Sequence, residues 1–209
     1  MKQLRLFVLT VLAVAFLLSC SSSTKLTATW KADPSGSYQF RNIAIIGIAN
    51  KPEVRKSIED ALEYNLDSRG FNTTGALMFL PPNASKENIT REIVVEFLKA
   101  GKFDAVITIG LVKKEETSEY VPGQYYYTPY YNAPFYDYYG MAGSYGYSPG
   151  YYIENVSYLL QTNLYNFPEG KFLWSAQTNT TPLKELSETA AALAVTLAEE
   201  LVNSKTIVP

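Results

Sequence analysis

The chain of 209 residues has no histidine and one cysteine, Cys20. Without histidine there is no Ser-His-Asp triad, and no Cys/His set can close around zinc. A single cysteine cannot form a disulfide within the chain, so an oxidising compartment would leave no trace in the cysteine pattern. Positive charge is also scarce: 18 Lys and Arg face 20 Asp and Glu, a net charge of −2 with no basic patch, which argues against nucleic acid as a partner. Nor is there an apolar run of the about 20 residues that a membrane-spanning helix needs, because the longest, residues 6–18, falls short.

That short run is nevertheless informative. Lys2 and Arg5 precede it, and Leu17, Leu18, Ser19 and Cys20 follow it. A basic start, a short apolar stretch and small residues before a cut make a secretory signal over residues 1–19. Ending as it does on Cys20, the segment resembles the lipobox of bacterial lipoproteins; a secretory signal without lipid is the alternative. The resemblance implies that the Cys20 sulfur carries a diacylglycerol, that cleavage falls before it and that the new amine is acylated, so palmitate labelling is expected. It also implies sorting to the outer membrane, facing the periplasm, because Ser21 rather than Asp follows the cysteine. Two or three chains, at about 0.8 kcal/mol per buried CH₂, anchor a protein effectively permanently. The only thiol is then taken by lipid, and no thiol nucleophile remains. Loss of Lys2 and Arg5 leaves 16 basic against 20 acidic residues, a net charge of −4. About 190 residues remain, enough for one domain with a real core.

Residues 20–28 are Ser/Thr-rich without apolar period and read as a flexible tether, with a single α/β domain over residues 29–209. Residues 43–48, Ile-Ala-Ile-Ile-Gly-Ile, are a continuous apolar run, as in a strand covered on both faces. Asn50, Pro52 and Glu53 then open a helix in which Val54, Ile58, Ala61, Leu62 and Leu66 recur at helical spacing, closed by Gly70. Residues 71–80 read as a weaker strand, ended by Pro81 and Pro82. A second helix over residues 88–100 has the stripe Ile89, Ile93, Phe97 and Ala100, and residues 105–112 are a second strongly apolar strand. This βαβαβ order predicts a parallel sheet with right-handed crossovers.

The second half changes period. Val156, Tyr158, Leu160, Thr162 and Leu164 alternate as in a half-buried antiparallel strand, and residues 166–171 supply a turn to a return strand through Phe172, Trp174, Ala176 and Thr178. A last helix starts at Thr181 and Pro182, with Leu186, Ala190, Leu193, Leu197 and Leu201 as its stripe. The fold class is therefore α/β with an α+β tendency: βαβαβ followed by ββα, one mixed sheet with helices packed on it. Between the halves, residues 120–152 hold 13 of the 17 tyrosines, with Pro122, Pro129, Pro134 and Pro149. Few aliphatic residues are present to form a core, and the prolines break ladders and helices, so this reads as a long mobile insertion.

The pattern Leu164, Tyr165, Asn166, then Gly170, Lys171, Phe172, Leu173, Trp174, Ser175 resembles the carboxy-terminal hairpin of small envelope lipoproteins. Together with residues 103–107, the Tyr-rich insertion and the lipobox, it resembles a family of bacterial envelope lipoproteins over most of the mature chain. The order of elements is similar to the α/β domains of the TolB amino-terminal region, the penicillin-binding-protein activator LpoB and the curli secretion lipoprotein CsgG. What this implies is a non-catalytic, membrane-anchored interaction or assembly module.

Candidate functional residues are few. Trp174 reads as a core anchor of the hairpin. With His and free Cys gone, the acid–base candidates are Asp60, Glu63 and Asp67 on the first helix, where Glu63 and Asp67 share what reads as a solvated face, and Glu115 and Glu116, which with Lys113 and Lys114 follow the third strand. No spacing motif joins them, so no catalytic residue, metal site or cofactor is expected. The distinctive surface is aromatic: Tyr125, Tyr126, Tyr127, Tyr130, Tyr131, Tyr136, Tyr138 and Tyr139 each pair a flat apolar ring with a hydroxyl, suited to stacking on a cell-wall glycan or a peptide. The expected partners are the membrane, through Cys20, and an envelope protein or glycan.

Overall fold

A computed structural model of the chain describes residues 23–80, 90–126 and 146–209. Cys20 and the signal segment lie outside the described residues, as do residues 81–89 and the centre of the Tyr-rich tract. The fold is mixed α/β. In chain order it runs β1 (Thr24–Lys31), β2 (Tyr38–Gln39), β3 (Ile43–Ile48), α1 (Pro52–Asp67), β4 (Thr73–Gly75), α2 (Arg91–Ala100) and β5 (Ala105–Val121). There follow β6 (Gln124–Tyr126), β7 (Gly146–Ser148), β8 (Tyr151–Asn166), β9 (Phe172–Thr180), α3 (Leu186–Asn203) and β10 (Ile207–Val208).

One six-stranded sheet has the order β1-β9-β8-β5-β3-β4; β2 with β10 and β6 with β7 form two small pairs. β3 pairs in parallel with both β4 and β5, so the βαβαβ expectation holds. β8 and β9 are antiparallel, with Leu164 opposite Trp174, and β1 adds antiparallel to β9. Because β4 and β5 lie on opposite sides of β3, right-handed crossovers place α1 and α2 on opposite faces of the sheet. The period of two along β3 and β5 then divides the core. Ile43, Ile45, Ala105, Ile107 and Ile109 join Leu62 and Leu66 of α1, Leu193, Leu197 and Leu201 of α3, and Trp174. Ala44 and Val106 point the other way, to Leu98 and Val94 of α2 and to Phe103.

Several boundaries differ from the sequence reading. The tether expected through residue 28 is cut short, because β1 begins at Thr24 and is paired to β9 from its first residue. Its pattern was hidden by exposure of both faces: from Lys25 to Trp30 no residue is buried. The weak strand of residues 71–80 is strand only over Thr73–Gly75, followed by a 3₁₀ turn. On α2 the buried residue is Leu98, not Phe97 or Ala100, so the packed stripe is rotated by one position. The last helix begins at Leu186 rather than Thr181, and Leu186 itself is exposed.

The chain forms two compact units. The larger comprises the residues up to Lys114 together with Tyr158–Pro209; the smaller is Glu115–Ser157. Within the smaller unit β5 continues to Val121, β6 pairs with β7, β8 starts at Tyr151, and the rings of Tyr120 and Tyr152 pack 5.0 Å apart. The ends of the Tyr-rich tract are therefore strand rather than loop.

Candidate functional site

The first helix carries the polar feature that sequence reasoning read differently. Glu59, Glu63 and Asp67 recur every four residues and form one stripe. Burial falls along it, from buried Glu59 through half-buried Glu63 to exposed Asp67, yet each carboxylate is turned to main-chain amides. Glu59 accepts from the Gly47 amide (2.9 Å) through Oε1 and from the Leu77 amide (2.8 Å) through Oε2. Glu63 accepts from the Gly75 amide at 2.8 Å, and Asp67 from the amide (3.0 Å) and hydroxyl (2.7 Å) of Thr73. The helix runs 59, 63, 67 while its partners run 77, 75, 73, as the reversed direction of a crossover helix requires. Four helical residues rise about 6 Å and two strand residues about 6.6 Å, so the two repeats keep step. Among the described residues β4 is the last strand on this side, and Glu63 and Asp67 take the amides of Gly75 and Thr73 on its outer edge.

Two glycines let the helix come this close. A Cβ on Gly75 would lie 3.1 Å from Glu63 Oε2 and 3.2 Å from Glu59 Cβ; one on Gly47 would lie 3.2 Å from Arg55 Cγ. Arg55, one turn before Glu59, is 4% exposed and donates from Nε to Glu59 Oε1 at 2.9 Å, while Glu59 is 1% exposed. Arg55 Nη2 has no hydrogen-bond partner. The pair is held by that one contact and by the two amides on Glu59, which satisfy a charge that would otherwise be costly to bury. Burial also pushes the Glu63 carboxyl above its ordinary value; the Gly75 amide opposes this, and the charges of Asp67, Asp60 and Glu59 add to it. The sequence signal for this stripe was the i, i+4, i+8 acidic spacing beside Leu62 and Leu66. Glu59 and Arg55 were missed because charged residues are seldom fully buried.

The other acid–base candidates separate. Asp60 is exposed and pairs with Lys56 at 2.6 Å. Lys113, Lys114, Glu115 and Glu116 do not follow a strand end, because β5 continues through them to Val121. Asp104, at the opposite end of β5, accepts from the amides of Arg41 (2.8 Å) and Asn42 (3.0 Å), fixing the entry to β3. Trp174 is 1% exposed within the main core, as expected of an anchor. The Asn166–Gly170–Lys171 pattern is turn chemistry: the Asn166 side chain accepts from the Lys171 amide at 2.8 Å, and Gly170 has φ +70°.

Tyr125 and Tyr126 lie on β6, while Tyr127, Tyr130, Tyr131, Tyr136, Tyr138 and Tyr139 lie outside the described residues. A different aromatic surface is present on the antiparallel part of the sheet. The core side of β8 and β9 carries Leu164, Trp174 and Ala176; the reverse side carries Gln161, Asn163, Tyr165, Ser175 and, on β1, Trp30. Trp30 is 50% exposed and stacks on Phe172, centroids 4.8 Å apart and rings within 10° of parallel; Tyr165 packs on Phe172 at 5.5 Å. Beside them the register sets Trp30, Ser175 and Asn163 in one row across three strands. Ser175 donates to Asn163 Oδ1 at 2.8 Å, and the Gln161 amide donates to the same oxygen at 3.1 Å. Flat rings beside ordered amides, with no acid among them, can stack on and hydrogen-bond a neutral polar ligand.

Among the described residues no group of three or more His, Cys, Asp or Glu is arranged to hold a metal ion, and no helix is long and apolar enough to cross a membrane.

No protein-family description matches the chain, and no curated protein sequence does. Several solved structures are similar to it in outline. One is the PelC dodecamer from Paraburkholderia phytofirmans, at 14% identity and TM-score 0.41, covering 83% of this chain and 94% of that one. Another is the lipoprotein GNA1162 from Neisseria meningitidis, at 13% identity and TM-score 0.41, covering 78% of this chain and 98% of that one. A third is a PDZ domain protein from Parabacteroides distasonis, at 12% identity and TM-score 0.40, covering 90% of this chain but 38% of that one. At these identities and scores the likenesses bring neither a name nor a function to this chain.

Proposed function

We propose that this chain is a lipid-anchored envelope module that works by binding rather than by catalysis, held through acylated Cys20 on the periplasmic side of an outer membrane. Its partner in this reading is an envelope protein. The anchor rests on the lipobox pattern around Cys20 and the sorting on Ser21. The observation that carries binding is the open face of β1, β9 and β8, where Trp30 is half exposed on a ring stack held by two neighbouring strands. The absence of catalysis is supported by what the buried and half-buried carboxylates do: Glu59, Glu63 and Asp104 each hold main-chain amides. Cross-linking in intact envelopes, with the wild-type chain beside Trp30→Ala, tests the reading. The expected result is an envelope protein captured by the wild type and lost in the variant; capture unchanged by Trp30→Ala would remove the open face from the account.

A second reading is a neutral glycan on the same face, favoured by the row of Trp30, Ser175 and Asn163 with Gln161 beside it. Trp174 is buried, so quencher-accessible tryptophan emission reports Trp30. Cell-wall fragments that bind there should shield that emission from acrylamide, and a panel without effect would eliminate this ligand class.

A further inference from the structure

The shortness of the link between anchor and domain has a geometric consequence. β1 begins at Thr24, four residues after Cys20. Four residues reach at most about 14 Å when fully extended. The start of β1 is firmly held. Thr24 is opposite Thr180, the last residue of β9, with both side chains buried and their hydroxyls 3.1 Å apart. One residue earlier, the Ser23 carbonyl accepts from the Thr181 amide at 2.8 Å. Whatever holds Cys20 therefore holds the end of β9 and the connection that leaves it.

That connection, from Thr181 to the start of α3, is exposed at every position and carries two leucines: Leu183 is 43% exposed and Leu186 39%. It is a shaped segment. The Leu183 amide donates to Thr189 Oγ1 at 2.8 Å, which folds it against the first turn of α3. Two leucines in water forgo the burial that apolar side chains ordinarily reach, and Lys184 and Glu185 between them are both exposed. Apolar side chains flanking a Lys–Glu pair suit the boundary between headgroups and acyl chains, where the leucines enter and the ammonium and carboxylate stay with the zwitterionic headgroups.

We propose that the segment Thr181–Leu186 is a membrane-contacting element, with Leu183 and Leu186 in the lipid interface, and that it sets which end of the sheet faces the bilayer. The occupant is a lipid surface, chosen because the chain outside the described residues allows so little distance between the acylated sulfur and Thr181. This inference rests on the Cys20 anchor. The turn between β8 and β9, at the other end of β9, then points away from the membrane, about 27 Å from Thr180 along the strand.

The test uses the full chain, processed and reconstituted into phosphatidylethanolamine/phosphatidylglycerol vesicles with nitroxide groups on the acyl chains. Leu183→Cys, Leu186→Cys and, as the distal reference, Glu169→Cys each carry an environment-sensitive fluorophore; all three positions are exposed, and the sulfur of Cys20 is blocked by lipid. Expected is co-flotation of every variant with vesicles and quenching at positions 183 and 186 about threefold stronger than at 169, as for groups 5–10 Å into the interface. Co-flotation with equal quenching at all three positions would overturn the contact while leaving the anchor standing. Failure to float, with Cys20 itself reactive to the label, would overturn both. A label at 183 that cross-links to an envelope protein and is not quenched by the acyl-chain nitroxides would assign the leucines to that protein and overturn the lipid assignment.

Discussion

The six-stranded sheet ends in two different ways. On one side β4 is three residues long and its amides are taken by Glu63 and Asp67 of the helix that precedes it, with Glu59 reaching the amide of Leu77 just beyond. On the other side β1 is eight residues long, exposed along most of its length, and interrupted by a bulge between Leu26 and Ala28. Lys25 and Lys31 stand near its ends, and Lys31 donates to the Ser204 and Lys205 carbonyls beyond the last turn of α3. Both are recognised ways of keeping a sheet edge from pairing with another chain: covering it, or bending and charging it. The difference is in where the free energy lies. Beside β4, Glu59 and Thr73 are buried and depend on their partners; along β1 the polar groups from Lys25 to Thr29 are exposed to water.

The largest effect should follow from breaking the buried edge. Glu59→Ala leaves the Arg55 guanidinium, the Gly47 amide and the Leu77 amide without their acceptor, and should cost about 3–5 kcal/mol in urea unfolding. Arg55→Met should cost clearly less, because the two amides still hold Glu59 and the unpartnered Nη2 is removed with the side chain. An Arg55→Met variant as unstable as Glu59→Ala would mean that the ion pair, and not the amides, sustains this edge.

Next is steric. Gly75→Val places atoms against Glu63 and Glu59 where even a Cβ is tight, and should destabilise by about 1–3 kcal/mol. The same residue at Thr27, on the bulged edge, should move the unfolding midpoint little.

On the open face, Trp30→Ala removes a stacked pair from exposed surface and should cost about 1 kcal/mol in the same unfolding experiment, within the range for such contacts. A loss as large as that of Glu59→Ala would erase the contrast between the edges.

The smallest effect concerns protons. The Glu63 carboxyl is raised above its ordinary value in the folded chain, so between 4.5 and that raised value the folded state holds more protons than the unfolded one. Stability contributed by this group is therefore present at low pH and lost as pH rises through that window. Glu63→Gln keeps an oxygen for the Gly75 amide and should flatten this part of the stability–pH curve; an unchanged curve would assign the slope to another group.

Much of this architecture was legible in the chain. Residues 43–47 and 105–109 are apolar without alternation because α1 and α3 cover one face and α2 the other, whereas Ile48, Leu111 and Val112 at the ends of the two runs are exposed. The β8–β9 hairpin alternates because its reverse face is only half-buried. Asn166, Gly170 and Lys171 read as a turn because their local chemistry needs no distant partner. What resisted reading was exposed or cooperative. β1 shows no period since neither of its faces is buried from Lys25 to Trp30. Leu186 fits the α3 stripe at helical spacing but lies at the helix start, where the core no longer reaches it.

The candidate sites divide along the same line. A segment ending in Leu17, Leu18, Ser19 and Cys20 carries its meaning in local order, and the sequence by itself determined that expectation, together with the exclusion of histidine chemistry and the order of strands and helices. The open aromatic row and the acidic stripe were decided by tertiary structure alone. Trp30 and Phe172 are far apart in sequence and meet through the register of β1 on β9; Glu63 and Asp67, which look solvated on an isolated helix, find the amides of β4 because the crossover lays helix and strand in opposite directions with nearly equal repeats. Periodicity reports which side of an element is apolar, since that follows from spacing along one segment; which polar groups are paired depends on a second segment whose position no local pattern encodes.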